Sequence, residues 1–458
     1  MEDMKNGKRS SFSGKLGYVL AAAGASVGLG NIWRFPYLAA KYGGGIFLII
    51  YIVLALTFGY TMIVAETAIG RMTRKSPVGA FKSFGKKKWL SFGGWINAVI
   101  PVLIVPYYSV IGGWVIKYLV EYFRGNAKLL AEDGYFTDFI SNGVSTELCF
   151  VAFCAFTLII IFAGVQNGIE RVSKIMMPIL IVLSVIIAVY SVTRPGALEG
   201  VKYFLVPNVK NFSWMTVVAA MGQMFYSLSI AMGILITFGS YMKKDTAIED
   251  STRNVEIFDT GIAIMAGLMI IPAVFAFSGG DPDTLQAGPS LMFITIPKVF
   301  QNMGFGTVIG IVFFVLVLFA AVTSSIALTE SAVSTFEDEL GWGRKKATVL
   351  VGVIMLALGS LSSLGYGPLA GIKIIGMQFL DLFDFLTNSV MMPIAALLTS
   401  LLVSRVVGID KIEEEIIHGE SAFRRKKVFV VMIKYLCPVF AIIILLSSVA
   451  NALGWIKM

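Results

Sequence analysis

Histidine occurs once in this sequence, at His418, and cysteine three times, at Cys149, Cys154 and Cys437. That scarcity excludes a zinc site built from Cys and His, and catalysis by a histidine base. The cysteines show no CxxC spacing, lie in or beside apolar runs, and read as small packing residues. His418 belongs to a charged connection. Charge is scarce as well: 14% of the 458 residues are Asp, Glu, Lys or Arg, where a soluble domain carries about a quarter. There is too little polar side chain to cover a water-facing surface. No Walker-type loop is present to bind nucleotide, and no short apolar stretch ending in a cleavage site suggests a removable signal peptide.

What the chain has is hydrocarbon. Hydrophobic residues make up 57% of it and the mean hydropathy is +0.82. They come in runs of about 20 or more, the length that crosses a ~30 Å bilayer core. Lipid offers no partner for open backbone, and the runs are too long and uniform for barrel strands, so they are expected to be helices. The fold class expected is an all-α polytopic membrane protein with about eleven transmembrane helices. The spans are placed near 16–42, 45–70, 89–123, 147–163, 171–193, 213–241, 255–278, 305–336, 346–363, 372–403 and 428–455.

The net charge of +9 is not a nucleic-acid patch, because its distribution follows the spans. Lys5, Lys8, Arg9 and Lys15, then Arg71 to Lys88, Arg171 and Lys174, Lys243 and Lys244, Arg344 to Lys346, and Arg424 to Lys427 fall in alternate connections. Roughly 25 of the 37 Lys and Arg lie on one side, which the positive-inside rule makes cytoplasmic. An odd number of spans then puts the N-terminus inside and the C-terminus outside.

Two spans are poor helices. The first reads Gly24-Ala25-Ser26-Val27-Gly28-Leu29-Gly30-Asn31, then Arg34 and Pro36, and each glycine costs about 1 kcal/mol relative to alanine. The sixth has the weak centre Ser227-Leu228-Ser229-Ile230-Ala231-Met232-Gly233. One such segment alone would suggest close helix packing through small residues. Two of them, each opening a set of five spans, match a five-plus-five inverted repeat with discontinuous helices 1 and 6, a pattern itself drawn from secondary transporters. The division expected is a cytoplasmic segment 1–15, a first repeat 16–193, an extracellular connection 194–212, a second repeat 213–403, a cytoplasmic connection 404–427, and helix 11 with the C-terminus over 428–458.

The stretch Gly24 to Pro36, with Glu66 and Gly70-Arg71, Tyr107-Tyr108, Gly222-Gln223, Ser240-Tyr241, Thr323-Ser324-Ser325 and Glu337-Asp338-Glu339, resembles the neurotransmitter:sodium symporter family, from about residue 9 to 455. Many members have twelve spans; this chain has eleven. The resemblance implies a sodium-coupled importer of hydrophobic L-amino acids, aliphatic and aromatic, working by alternating access in a bacterial inner membrane.

It also implies the site residues. A first sodium site would use the Ser26 carbonyl and the side chains of Asn31, Ser227 and Asp259, completed by the substrate carboxylate. A second would use the carbonyls of Gly24, Val27 and Ala320 and the hydroxyls of Thr323 and Ser324. These are oxygen ligands, as a hard cation requires. Hydroxyls bonding back to their own helix are the other reading of Thr323 and Ser324. Asp259 stands where many relatives carry an amide, and its fixed charge implies that chloride is not needed. A pairing of Asp259 with Arg253 stays open.

The substrate carboxylate would meet the Leu29 and Gly30 amides and the Tyr108 hydroxyl, and its ammonium the carbonyls around Ala25, Phe225 and Ser229. Ile104, Tyr108, Phe225, Tyr226, Ala231, Met232, Ser324 and Leu328 would line the side-chain pocket. Gly28 leaves no counter-charge for a bare amine. Glu66, costly in an apolar span, would support the unwound backbone. Arg34 with Asp384 would gate the outside, and Arg9, Tyr241 and Asp338 the inside. Gly168 and Pro178 would either let the fifth span unwind or form a static kink.

No motif supports an enzyme, and a channel would favour a symmetric assembly of shorter chains. A non-transporting amino-acid sensor of the same fold is the alternative. The sequence leaves the oligomeric state open.

Overall fold

The structure, a computed structural model, describes residues 9–279, 288–452 and 454–455. Among these it is helical throughout, with two isolated β-bridges, Gly44 to Pro207 and Ile374 to Met377. Among the described residues nine continuous helices are long and apolar enough to cross a membrane: Gly45–Thr73, Lys88–Phe123, Gly143–Phe162, Val165–Val192, Ile248–Ser278, Gly306–Leu340, Arg344–Leu364, Phe379–Val407 and Lys426–Ala452. They are spans 2, 3, 4, 5, 7, 8, 9, 10 and 11. Span 1 is a bent pair, Lys15–Ser26 and Gly30–Lys41, turning by 54°. Span 6 is Trp214–Ser227 followed, after six residues, by Ile234–Tyr241.

The breaks have local causes. In span 1 the helix ends at Ser26, Val27 leaves helical geometry at ψ 88°, and the chain resumes at Gly30. In span 6, Ser229, Ala231 and Gly233 have φ of 52°, 58° and 72°. A left-handed conformation costs a non-glycine residue about 1 kcal/mol or more, so Ser229 and Ala231 must be held there by their surroundings. The Ala231 N–H donates to Glu66 Oε1 at 2.7 Å, and Ser229 Oγ donates to the Ala25 carbonyl at 2.9 Å.

Several boundaries differ from the sequence expectation. Span 5 begins at Val165 and not at 171, because Gly164 (φ 91°) starts a π-helical stretch that absorbs the polar residues Gln166 to Glu170. Span 10 begins at Phe379 and not at 372, since the Ile374–Met377 bridge, with Ile375 and Gly376 at positive φ, makes a tight turn there. The connections expected at 194–212 and 404–427 contain helices of their own, Ala197–Leu205 and Ile409–Ile417. Hydropathy sees none of these.

Spans 3 and 8 are the most enclosed of the straight helices and spans 5 and 11 the least. The first half of span 1, Lys15–Ser26, lies against spans 5, 7 and 8, and the second half of span 6, Ile234–Tyr241, lies against span 2. That last contact needs glycine: a Cβ on Gly70 would come within 2.0 Å of the Ile236 carbonyl, and one on Gly239 within 2.4 Å of the Thr67 carbonyl. The two broken spans also touch each other, Trp214–Ser227 against Gly30–Arg34 and Ile234–Tyr241 against Lys15–Ser26.

Candidate functional site

Three oxygen-bearing side chains from three spans meet beside the breaks. Asn31 Nδ2 donates to Asp259 Oδ1 at 2.8 Å, which turns Asn31 Oδ1 toward Ser227 Oγ at 3.1 Å. Ser227 Oγ lies 2.9 and 3.1 Å from the two Asp259 oxygens. One hydroxyl proton therefore faces three acceptor oxygens, a surplus of lone pairs that a hard cation would satisfy. Tyr51, which sequence reasoning missed, donates to Asp259 Oδ2 at 2.9 Å and touches Ser227 Oγ at 3.0 Å. Arg253 pairs with Asp250 at 2.6 Å, and among the described residues no basic group lies within 4 Å of Asp259. The Asp259–Arg253 pairing is set aside.

The second oxygen set also comes together. Ser324 Oγ, in span 8, lies 3.2, 3.1 and 3.5 Å from the carbonyls of Gly24, Ala25 and Val27 in span 1. Thr323 Oγ1 bonds back to the Phe319 and Ala320 carbonyls at 3.0 and 3.2 Å. So Ser324 reaches across the interface while Thr323 is turned along its own helix. Again a single hydroxyl proton faces several carbonyl oxygens.

Between the breaks is a narrow cavity of about 30 Å³. Its polar end is built by Ala25, Ser26, Gly28, Leu29, Gly30 and Asn31; Ile104, Tyr108, Tyr226, Ser229, Met232, Ser324 and Leu328 form the remaining wall. The Leu29 N–H points at the Tyr108 hydroxyl, 3.3 Å away. No charged side chain lines the cavity among the described residues. Two expected lining residues stand elsewhere. Phe225 is packed on Phe58 with ring centroids 4.9 Å apart, and Ala231 has its amide committed to Glu66. Ala231 lies within the left-handed turn itself, at φ 58°, and Phe225 in the helix before it. Glu66 itself is fully buried, and among the described residues its Oε2 has no partner.

The gate residues fall into two groups. On the outer side Arg34 lies over the Tyr226 ring, 5.2 Å from its centroid, while Asp384 accepts from Asn388 at 2.6 Å and Tyr107 at 3.2 Å. Arg34 and Asp384 make no ion pair within 4 Å, so the expected direct pair is replaced by a stacked lid, with Tyr107 and Asn388 as unforeseen partners. On the inner side Arg9 meets Asp338 at 2.5 Å, Ser334 at 2.7 Å and Ser240 at 3.1 Å, and stacks on Tyr241. Burial opposes the Arg9 charge, but Tyr241, Asp338 and Glu337 more than offset it and raise its pKa above the ordinary value. Tyr241 donates to Glu330 at 2.7 Å, and Arg344 pairs with Glu330 at 2.6 Å. Phe12 is buried edge-on against Tyr18, Phe238 and Tyr241. Glu330, an acid deep in span 8, was legible as an expensive intramembrane charge; Arg344 was counted only as a basic flank.

Residues 9–137 and 134–455 match the model of the sodium:neurotransmitter symporter family. The chain is 34% identical over 450 residues to the uncharacterized sodium-dependent transporter YhdH of Bacillus subtilis (strain 168), covering 97% of this chain and 99% of that one. It is 26% identical over 474 residues to the sodium- and chloride-dependent GABA transporter 2 of Homo sapiens, covering 89% and 75%. The crystal structure of MhsT in complex with L-phenylalanine matches with a TM-score of 0.86 and 35% identity, over 96% of this chain and 100% of that one.

Proposed function

The chain belongs to the sodium:neurotransmitter symporter family and is a sodium-coupled, multi-pass membrane transporter, and on that footing we propose that it imports hydrophobic L-amino acids with two sodium ions and without chloride. The observation that carries the substrate reading is the cavity: backbone and hydroxyl groups gather at one end, and uncharged, largely apolar side chains at the other. A zwitterion fits the polar end. Its carboxylate would take the Leu29 and Gly30 amides, the Tyr108 hydroxyl and the cation at Asn31, Ser227 and Asp259. Its ammonium would take carbonyls released by the breaks, Ala25 among them. Gly28 keeps that end free of side chain: a Cβ there would lie 2.7 Å from Ser324 Oγ and 3.0 Å from the Tyr108 hydroxyl. Met232, flexible and polarizable, lets the apolar end adapt to branched and aromatic side chains. MhsT, similar over nearly its whole length, was crystallised with L-phenylalanine, which agrees with this class.

Asp259 supplies beside the first cation the fixed negative charge that a bound anion would otherwise contribute. The second cation would sit among Gly24, Val27, Ala320, Thr323 and Ser324, with the Thr323 hydroxyl rotating off its own helix to join it. We take residues 16–193 and 213–403 as the inverted halves that rock about these sites, in a bacterial inner membrane with the N-terminus cytoplasmic. A tenfold sodium gradient contributes about 1.4 kcal/mol per ion, and ~100 mV another 2.3 kcal/mol per charge. Two ions thus supply about 7 kcal/mol, enough to accumulate a neutral zwitterion about 10⁵-fold without nucleotide.

The test of substrate class is equilibrium binding of labelled L-leucine to the purified protein in sodium. Unlabelled phenylalanine, isoleucine and tryptophan should compete, and glutamate, lysine and GABA should not. Displacement by a charged or γ-amino acid in preference to the hydrophobic ones would refute the reading.

A further inference from the structure

Four basic residues are left without a countercharge where span 3 begins and span 10 finishes. Lys86, Lys87 and Lys88 are exposed at the start of span 3, and Arg405 is exposed in the last turns of span 10. Among the described residues none of the four has an acidic group within 4 Å, whereas Lys82, just before them, pairs with Glu339 at 2.6 Å. The first turn of span 3 carries no acidic residue either.

The two clusters belong to one seam. Spans 3 and 10 touch, and a Cβ on Gly93 would lie 3.5 Å from the Leu398 Cβ. The spans cross in opposite directions, so Lys88 and Arg405 both lie from that contact toward the same membrane surface. At 1.5 Å per residue they are about 8 and 10 Å away along the axes. The cations therefore share one depth.

The seam above them is apolar and open to lipid. Lys88, Phe92 and Trp95 recur at i, i+4 and i+7, one helix face, with Phe92 56% and Trp95 41% exposed. Trp89, one turn before Gly93, is half-buried and falls between that face and the contact. On span 10, Leu398 and Leu401 are half-buried and lead down to Arg405. Farther out the same two spans are joined by Tyr107, Asp384 and Asn388. A lone run of lysines would be a solvated flank of the positive-inside kind. Here cations from two spans meet at the foot of an apolar groove with aromatic rings at headgroup level, the arrangement that holds a lipid phosphate.

We propose that the seam between spans 3 and 10 is a binding site for an anionic phospholipid. Its phosphate sits between Lys88 and Arg405, with Lys86 and Lys87 adding attraction from the aqueous side. One acyl chain runs along Phe92, Leu398 and Leu401. The site is separate from the amino-acid cavity and does not depend on which solute is carried.

The experiment is native mass spectrometry of the full-length protein in detergent, titrated with phosphatidylglycerol and, separately, with phosphatidylcholine bearing the same chains. The first phosphatidylglycerol should bind wild type at least about fivefold more tightly than phosphatidylcholine. Lys88→Gln and Arg405→Gln should each weaken it about fivefold, the attraction of one basic residue for an anionic headgroup, and leave phosphatidylcholine unchanged. Arg405→Lys should keep most of the affinity, and Phe92→Ala should weaken both lipids. All these side chains are exposed, so the variants should fold. Lys128→Gln, at an exposed lysine beyond the other end of span 3, should change neither lipid, and glycerol phosphate should not compete. Equal losses in Lys128→Gln and the two seam variants would reduce the effect to bulk charge and overturn the site. Phosphatidylglycerol binding unmoved by both seam variants would overturn it too. Displacement of the lipid by equimolar glycerol phosphate would mean a free-phosphate site and refute the lipid.

Discussion

Tyr51 of span 2 and Asp259 of span 7, 208 positions apart, meet at 2.9 Å inside the bundle, and the same tyrosine hydroxyl lies 3.0 Å from Ser227 of span 6. One phenol therefore touches two of the three side chains that bring oxygen to the first cation. It holds the Asp259 carboxylate by a hydrogen bond.

Tyr51→Phe removes that restraint and nothing else. The sodium concentration giving half-maximal leucine uptake should rise about three- to tenfold, the loss of one hydrogen bond to a charged group, with little change in the maximal rate. A sodium titration of uptake measures both. A fall in maximal rate at an unchanged midpoint would show that Tyr51 serves a different step.

Asp259→Asn keeps the shape of the cluster and removes its charge. The wild type should transport equally well when chloride is replaced by gluconate, and the variant should need at least about tenfold more sodium, a difference of ~1.4 kcal/mol. Wild-type transport that collapses in gluconate would contradict the role given to this carboxylate.

Much of this was legible in the sequence, and the remainder has a physical explanation. Glycine-rich polar segments such as Gly24–Asn31 and Ser227–Gly233 are poor helices by composition, so the two breaks could be read directly. Asn31, Ser227 and Asp259 could be named only through family resemblance, because nothing in spacing brings residues 31 and 259 together. Tyr51 was hidden for a different reason: in an apolar run a tyrosine looks like packing, and one buried hydroxyl leaves no periodic trace. The Arg34–Asp384 pair was expected from charge alone, and the stacking of Arg34 on Tyr226 found in its place leaves no trace in residue order. Phe225 was placed in the cavity by resemblance alone; it lies in the helix Trp214–Ser227 and packs on Phe58.

Gly28→Ala should abolish or severely weaken amino-acid binding although it adds a single carbon. That carbon would fall 2.7 Å from Ser324 Oγ and 3.0 Å from the Tyr108 hydroxyl, displacing groups from both the second oxygen set and the carboxylate end. Binding of labelled leucine at saturating sodium tests it, and an affinity within twofold of wild type would show that the polar end lies elsewhere.

Tyr241→Phe should weaken the inner closure. It removes the 2.7 Å bond to Glu330 and leaves that buried acid to Arg344 alone, while Arg9 keeps Asp338. The balance should shift toward the inward-facing form, seen as an apparent sodium affinity lowered several-fold and faster efflux from preloaded vesicles. Efflux and affinity both at wild-type values would argue that the network around Arg9 closes the path without Tyr241.

The most direct measurement is accumulation of labelled L-leucine and L-phenylalanine in proteoliposomes containing the purified protein, with sodium outside and potassium inside. Both amino acids should rise well above the external concentration, dissipation of the sodium gradient should abolish the rise, and replacing chloride should leave it intact. Sodium-dependent binding with no accumulation would mean a sensor in a transporter's fold, and accumulation of some other solute in place of these two would mean the cavity has been misread.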